Sequence, residues 1–136
     1  MRFMILLKAD KTTEAGVLPD TKLLTEMGKY NEELVKAGVM QAGEGLQPSS
    51  RAVRIKFAGD NPAITEGPFD VKELVCGFWI FKVNSREEAV DWAKRAPLGD
   101  GAELEIRQIF EAEDFGAEFT PELREQEERL RTKIAS

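Results

Sequence analysis

Two segments of this chain are apolar on both of their alternating faces, and few folds can accommodate that. From Phe3 to Ala9, Phe3, Ile5 and Leu7 alternate with Met4 and Leu6. From Leu74 to Val83, Val75, Trp79, Phe81 and Val83 fall on one side, and Leu74, Cys76, Phe78 and Ile80 on the other. A strand that is greasy on both sides belongs in the middle of a sheet whose two faces are both covered.

The segments around them supply the rest of such a sheet. Residues 10–19 read as a loop, and Asp20 is placed to cap a helix with Leu23, Met27, Tyr30 and Leu34 at helical spacing. Leu24 and Val35 lie alongside, and Gly38 is the expected stop. Val39 to Leu46 reads as a short strand with Gly43 and Gly45 inside it. Arg51 to Phe57 alternates cleanly and is expected to bury one face, through Val53, Ile55 and Phe57, with Ala63 to Thr65 as a brief strand after the turn. Ser85 and Glu88 predict a capping box for a second helix that ends at Pro97, with Ala89, Trp92, Ala93 and Ala96 inward. Leu104, Ile106 and Phe110 alternate with Glu103, Glu105 and Arg107 in a last strand. Thr120 and Pro121 then open a charged helix whose apolar seam is only Leu123, Leu130 and Ile134.

This order predicts an α+β chain: a ferredoxin-like split βαβ sheet with an inserted hairpin and an extra C-terminal helix. Residues 1–112 form the domain and 113–136 a charged helical extension. In that topology the two doubly apolar segments are the central strands. Two helices cover only one face of such a sheet, which leaves Met4, Leu6 and their neighbours for a second copy, so a homodimer is expected.

Composition narrows the chemistry. The chain carries 25 acidic and 19 basic residues for a net charge of −6, which argues against nucleic acid or an anionic membrane surface as partner. Cys76 is the only cysteine, so no disulfide and no thiolate-rich metal site can form within the chain, and a cytoplasmic setting fits. The N-terminal apolar run is too short for a signal segment or a membrane span. There is no histidine. That removes the usual base near neutral pH, the Ser-His and Cys-His pairs and the imidazole metal ligand, and neither metal nor cofactor is expected.

The remaining candidates are carboxylates and cations. Asp70, Lys72 and Glu73 form the densest polar cluster beside a buried strand. If Lys72 and Glu73 begin that strand, their side chains point to opposite faces, whereas Asp70 and Lys72 share a side and can form an ion pair. Their ordinary reading is a surface pair; the alternative is a lysine and carboxylate poised near a ligand. Glu44 lies between two glycines that allow close approach of a ligand or another backbone, or simply mark a bulge. Arg54 sits on the polar face of its strand, solvated or facing an anionic ligand. Trp79 can wall a pocket or serve only as core. Cys76 reads as a buried core thiol and not a nucleophile. Gly67-Pro68 sets a rigid turn that fixes the register of the next strand or lines a pocket mouth. The C-terminal Glu and Arg residues are a solvated helical face.

The run Thr65-Glu66-Gly67-Pro68-Phe69-Asp70-Val71-Lys72-Glu73, followed by Cys76-Gly77-Phe78-Trp79-Ile80, resembles the signature of the DGPF-domain proteins, a branch of the YCII-related family. Gly43-Glu44-Gly45-Leu46-Gln47-Pro48 and Ala89-x-x-Trp92-Ala93 are similar to two further blocks of that family. The signature has Asp where this chain has Glu66. The resemblance implies a dimeric α/β-barrel arrangement, with sheets paired face to face. For the enzymatic members, among them dehydrochlorinases of chlorinated hydroquinones, the resemblance implies a histidine and aspartate pair, which this chain cannot supply. Two readings follow: a small-molecule binding domain with its ligand in a cleft between sheet and helices, or a lyase- or isomerase-like enzyme working with lysine and carboxylate.

Overall fold

In the computed structural model, which describes residues 1–135, six strands and four helices follow the order β1 (Arg2–Lys8), α1 (Lys11–Glu14), α2 (Thr21–Lys36), β2 (Met40–Gly45), β3 (Val53–Lys56), β4 (Ala63–Glu66), β5 (Val75–Lys82), α3 (Arg86–Ala93), β6 (Leu104–Gln108) and α4 (Pro121–Ala135). Four strands make an antiparallel sheet in the order β2-β5-β1-β6. The two doubly apolar strands are therefore central, in the strand order of a split βαβ unit.

The face under the helices carries the core. Phe3 lies opposite Phe81, and Ile5 opposite both Trp79 and Ile106. Together with Val83 they pack against Tyr30 and Leu34 of α2 and Ala89 and Ala93 of α3; Phe3, Ile5, Leu34 and Phe81 are almost wholly excluded from solvent. Small alanines on α3 let its backbone approach the sheet, with Trp92 and Ala96 closing the edge. Asp20 caps α2 by accepting the Leu23 N–H at 2.8 Å. Ser85 caps α3 through the Glu88 N–H, and the Glu88 carboxylate returns to the Asn84 N–H, one residue earlier than a capping box would have it. The helix ends at Ala93, short of Pro97.

The opposite face bears Met4 and Leu6 of β1 and Phe78 and Ile80 of β5, each half-buried. Their neighbours on β6 are Arg107 and Glu105. The seam of α4 does not cover them: Leu123, Leu130 and Ile134 are 46, 53 and 85% exposed. Arg2 ties the start of β1 to Glu111 at 2.8 Å, and this bond to the guanidinium holds the Glu111 carboxyl below its usual range.

Two expectations need correction. The loop after β1 contains the short helix α1, because Asp10 and Thr13 satisfy each other's backbone N–H groups in a reciprocal cap. The β3 strand does not bury a face: it pairs with β4 in a separate two-stranded ribbon, and every strand residue of both is exposed. Alternation there is a core signal, yet among the described residues nothing lies over it. Among the described residues, no helix is long and apolar enough to cross a membrane.

Tyr30, the only tyrosine, reports on the core. Its hydroxyl donates to the Trp92 carbonyl at 2.7 Å, joining α2 to α3. Burial pushes its pKa up to about 12, with the charge of Arg95 opposing and that of Glu33 adding to the rise. A raised folded value means stability that is complete below the ordinary value of 10.0 and is lost as pH climbs through about 12. The native chain is therefore expected to show phenolate absorbance appearing near pH 12, against near 10 for the urea-denatured chain. Coincident native and denatured titrations would contradict the burial of Tyr30.

Candidate functional site

A cleft of about 1700 Å³ opens where β1 ends and β5 begins, against the N-terminal half of α2. Trp79 is part of its wall and is only 7% exposed. The indole is held from two sides. Its Nε1–H donates to Asn31 Oδ1 at 3.0 Å, and its ring meets Tyr30 edge-on at 5.7 Å between centroids. Gly43 lies opposite Trp79 in the ladder. A Cβ at that position would sit 2.9 Å from Trp79 Cδ1 and 2.7 Å from Met40 Cε, so the glycine makes room for the indole. Glu44, the next residue, lines the same cleft and is exposed. Leu7, Leu23 and Met27 add apolar lining.

Lys72 also lines the cleft and is exposed. It does not begin β5. Val71–Glu73 is a 3-10 turn capped by Asp70, whose carboxylate accepts the Lys72 backbone N–H at 3.0 Å. The capping role replaces the expected Asp70–Lys72 ion pair, and strand alternation does not govern these side chains because the strand starts at Val75. Glu73 instead pairs with Arg54 at 3.3 Å, and the Arg54 guanidinium lies 3.8 Å from the centroid of the Phe69 ring. Asp70, Glu73 and Arg54 therefore work in the turn and the β3–β4 ribbon, outside the cleft lining. Of the six candidates, Glu44, Lys72 and Trp79 line the one cleft, Glu44 from its rim, since it lies opposite Phe78 in the ladder. Among the described residues, neither Lys72 nor Glu44 has an ion-pair partner.

Cys76 is half-buried and lines the cleft, which corrects its reading as core. The β1–β5 register slips between Leu7 and Lys8, so Cys76 sits at the irregularity and its thiol reaches the Lys8 carbonyl at 3.8 Å. Burial pushes its pKa up; a hydrogen bond with Thr13 works against this and the nearby Asp10 charge reinforces it. The group is a neutral thiol at neutral pH, so it offers a weak donor and little nucleophilicity.

Gly67-Pro68, joined by a cis peptide bond, anchors the turn that presents Lys72. Sequence reasoning missed its partner. Ser49, in what read as plain turn material, is 4% exposed; its hydroxyl donates to Glu14 and accepts the Phe69 N–H at 2.9 Å. The Ser49 N–H also donates to Glu14 at 2.9 Å, so α1, the turn after β2 and the Gly67-Pro68-Phe69 segment converge on one side chain. Pro48-Ser49 and Glu14 are 35 residues apart and share no local pattern, so only the tertiary arrangement could connect them. A Cβ on Gly67 would fall 1.8 Å from the Ser49 carbonyl oxygen, which is why a glycine stands there.

The turn and the strand that follows it are the blocks by which the sequence resembles a known family, and residues 1–113 match the YCII-related domain. This chain belongs to the YCII-related family. A curated relative, an uncharacterised protein of Rhizobium meliloti (strain 1021), is 25% identical over 76 residues, 55% of this chain. The match spans 61% of that protein's length. A similar solved structure is 5-chloro-2-hydroxyhydroquinone dehydrochlorinase (TftG) from Burkholderia phenoliruptrix AC1100 in complex with 2,5-dihydroxybenzoquinone, at 16% identity over 83% of this chain and 98% of that one, with a TM-score of 0.40. Only α4 of this YCII-related chain, with the 3-10 turn before it, lies at or beyond the end of the family match. Among the described residues, no group of three or more carboxylate or thiol side chains is placed to hold a metal ion.

Proposed function

We propose that this YCII-related domain binds a small molecule with a flat apolar body and an anionic end, in the cleft beside Trp79. The observation that carries this reading is the placement of an unpaired Lys72 ammonium in the lining of a cleft whose wall is an indole locked by Asn31 and Tyr30. A fixed aromatic edge gives orientation at little entropic cost, and one cation selects an acidic group.

A panel of small aromatic and aliphatic carboxylates, screened by thermal shift, tests it. A ligand at a hundred times its Kd stabilises the folded state by about 2.7 kcal/mol. Lys72→Ala is expected to weaken the apparent affinity at least tenfold, which at the same ligand concentration cuts that gain by about half. No stabilisation by any compound, or equal stabilisation of the variant, would count against this site.

A second reading keeps the same cleft but makes it catalytic, with Lys72 and Glu44 exchanging protons with a bound substrate. Their presence in one lining favours it; Asp70 and Glu73 are occupied elsewhere and drop out. Turnover abolished by Glu44→Gln with binding retained would select this reading.

The chain is further proposed to act as a homodimer that packs the face bearing Met4, Leu6, Phe78 and Ile80 against its twofold mate. Light scattering is expected to give about twice 15.2 kDa, and Ile80→Asp a monomer.

A further inference from the structure

The β3–β4 ribbon is inside out for a chain that works alone. Ile55 and Ile64 lie directly opposite one another, and Val53 shares their side by strand alternation. Arg54 is on the other side, and it is that polar side which is bound to the body of the protein, through Glu73 and the Phe69 ring. The apolar side points away: Val53, Ile55 and Ile64 are 57, 53 and 69% exposed, and Phe57, just past the end of β3, is 82% exposed. A lone two-stranded ribbon is marginally stable in water, and among the described residues both edges of this one lack a third strand.

We infer that this ribbon is an arm that packs its Val53–Ile55–Phe57–Ile64 side onto a second copy of the same chain. The inference rests on the dimer reading above and adds a second contact to it. Area favours a second copy over another partner. The four side chains present roughly 450 Å² of apolar surface, at the size where an exposed patch on a monomer signals an interaction. In a twofold dimer two arms and the two surfaces beneath them bury together about 1,800 Å², the amount a stable specific interface needs. The chain also carries a second uncovered apolar surface, the half-buried Met4, Leu6, Phe78 and Ile80 face, so that arm and face are available in both copies at once.

The test compares three full-length chains by sedimentation over micromolar concentrations: wild type, Ile80→Asp on the sheet face, and the double variant Ile55→Asp with Ile64→Lys on the arm. Opposite charges at directly facing positions keep the ribbon paired while removing its apolar side. A wild-type dimer with at least tenfold weaker association of the arm variant, and unchanged far-UV circular dichroism, is the expected result. A wild-type dimer whose arm variant associates as tightly overturns the arm and leaves the sheet-face reading intact. A monomeric wild type overturns both. Should the arm variant unfold, a photo-crosslinker placed at Phe57 in mixed light and heavy-isotope chains decides the matter. Crosslinks between light and heavy chains support the arm; crosslinks confined to one chain overturn it.

Discussion

Gly67→Ala is expected to destabilise the chain by about 3 kcal/mol or more, because the new methyl group would meet backbone and not a side chain that can turn aside. The Cβ would sit 1.8 Å from the Ser49 carbonyl oxygen and 2.8 Å from its carbon. Ser49 cannot retreat freely, since its N–H and hydroxyl are both committed to Glu14 and its oxygen also accepts the Phe69 N–H. The Gly67 N–H is itself bonded to the Ala52 carbonyl at 2.9 Å, so a shift of either strand of chain breaks something. For a chain of this length the loss corresponds to a fall in Tm of about 10 °C. Ligand binding should weaken as well, because the turn that carries Lys72 follows directly. A Tm within about 2 °C of wild type would mean that the segment relaxes without cost and that the glycine is not structurally required.

Phe81→Ala is expected to cost about 3–5 kcal/mol, the range for emptying a large aromatic site in a packed core. Phe81 is fully buried in a central strand, opposite Phe3 and inclined against Trp79 at 6.4 Å between ring centroids. Its removal leaves a cavity bounded by two strands and the helices above them, where neighbours are already held by the ladder. Chemical denaturation of the variant checks the magnitude. Because Trp79 loses a neighbour, its fluorescence in the folded variant should also change, and with it affinity for any ligand lying against the indole. A loss below about 1 kcal/mol would show that the core recloses over the site.

How far the sequence could be read depended on whether a signal was local. The central strands were legible because both faces are free of charge over five residues in β1 and seven in β5, and no other element of the chain has that pattern. Asp20 and Ser85 were legible as caps because a cap bonds within three residues. The cluster at residues 70–73 was legible as polar but not in its roles: Asp70 turned inward to a backbone N–H, and Glu73 found Arg54 some twenty residues away. Ser49 carried no sign of its burial, since its partner Glu14 lies on a helix of four residues that read as loop. The exposed ribbon misled for the converse reason. Alternation records that one side of a strand prefers to leave water, without recording what it will meet.

The doubly apolar strands thus determined by themselves that the chain is an α+β domain with those strands at the centre, because burial on two faces is a property a short segment carries alone. Which face the helices take, and where the cleft opens, was decided only by tertiary structure. The side chains of Phe3, Ile5, Trp79 and Phe81 fit beneath α2 and α3, which leaves Met4, Leu6, Phe78 and Ile80 half-buried on the other side. The presence of Lys72 and Trp79 in one lining, with Glu44 at its rim, depends likewise on three segments brought together by the β2–β5 ladder and by the turn locked onto Ser49. Contacts between residues so far apart leave no periodic trace along the chain; they exist only once the sheet has closed.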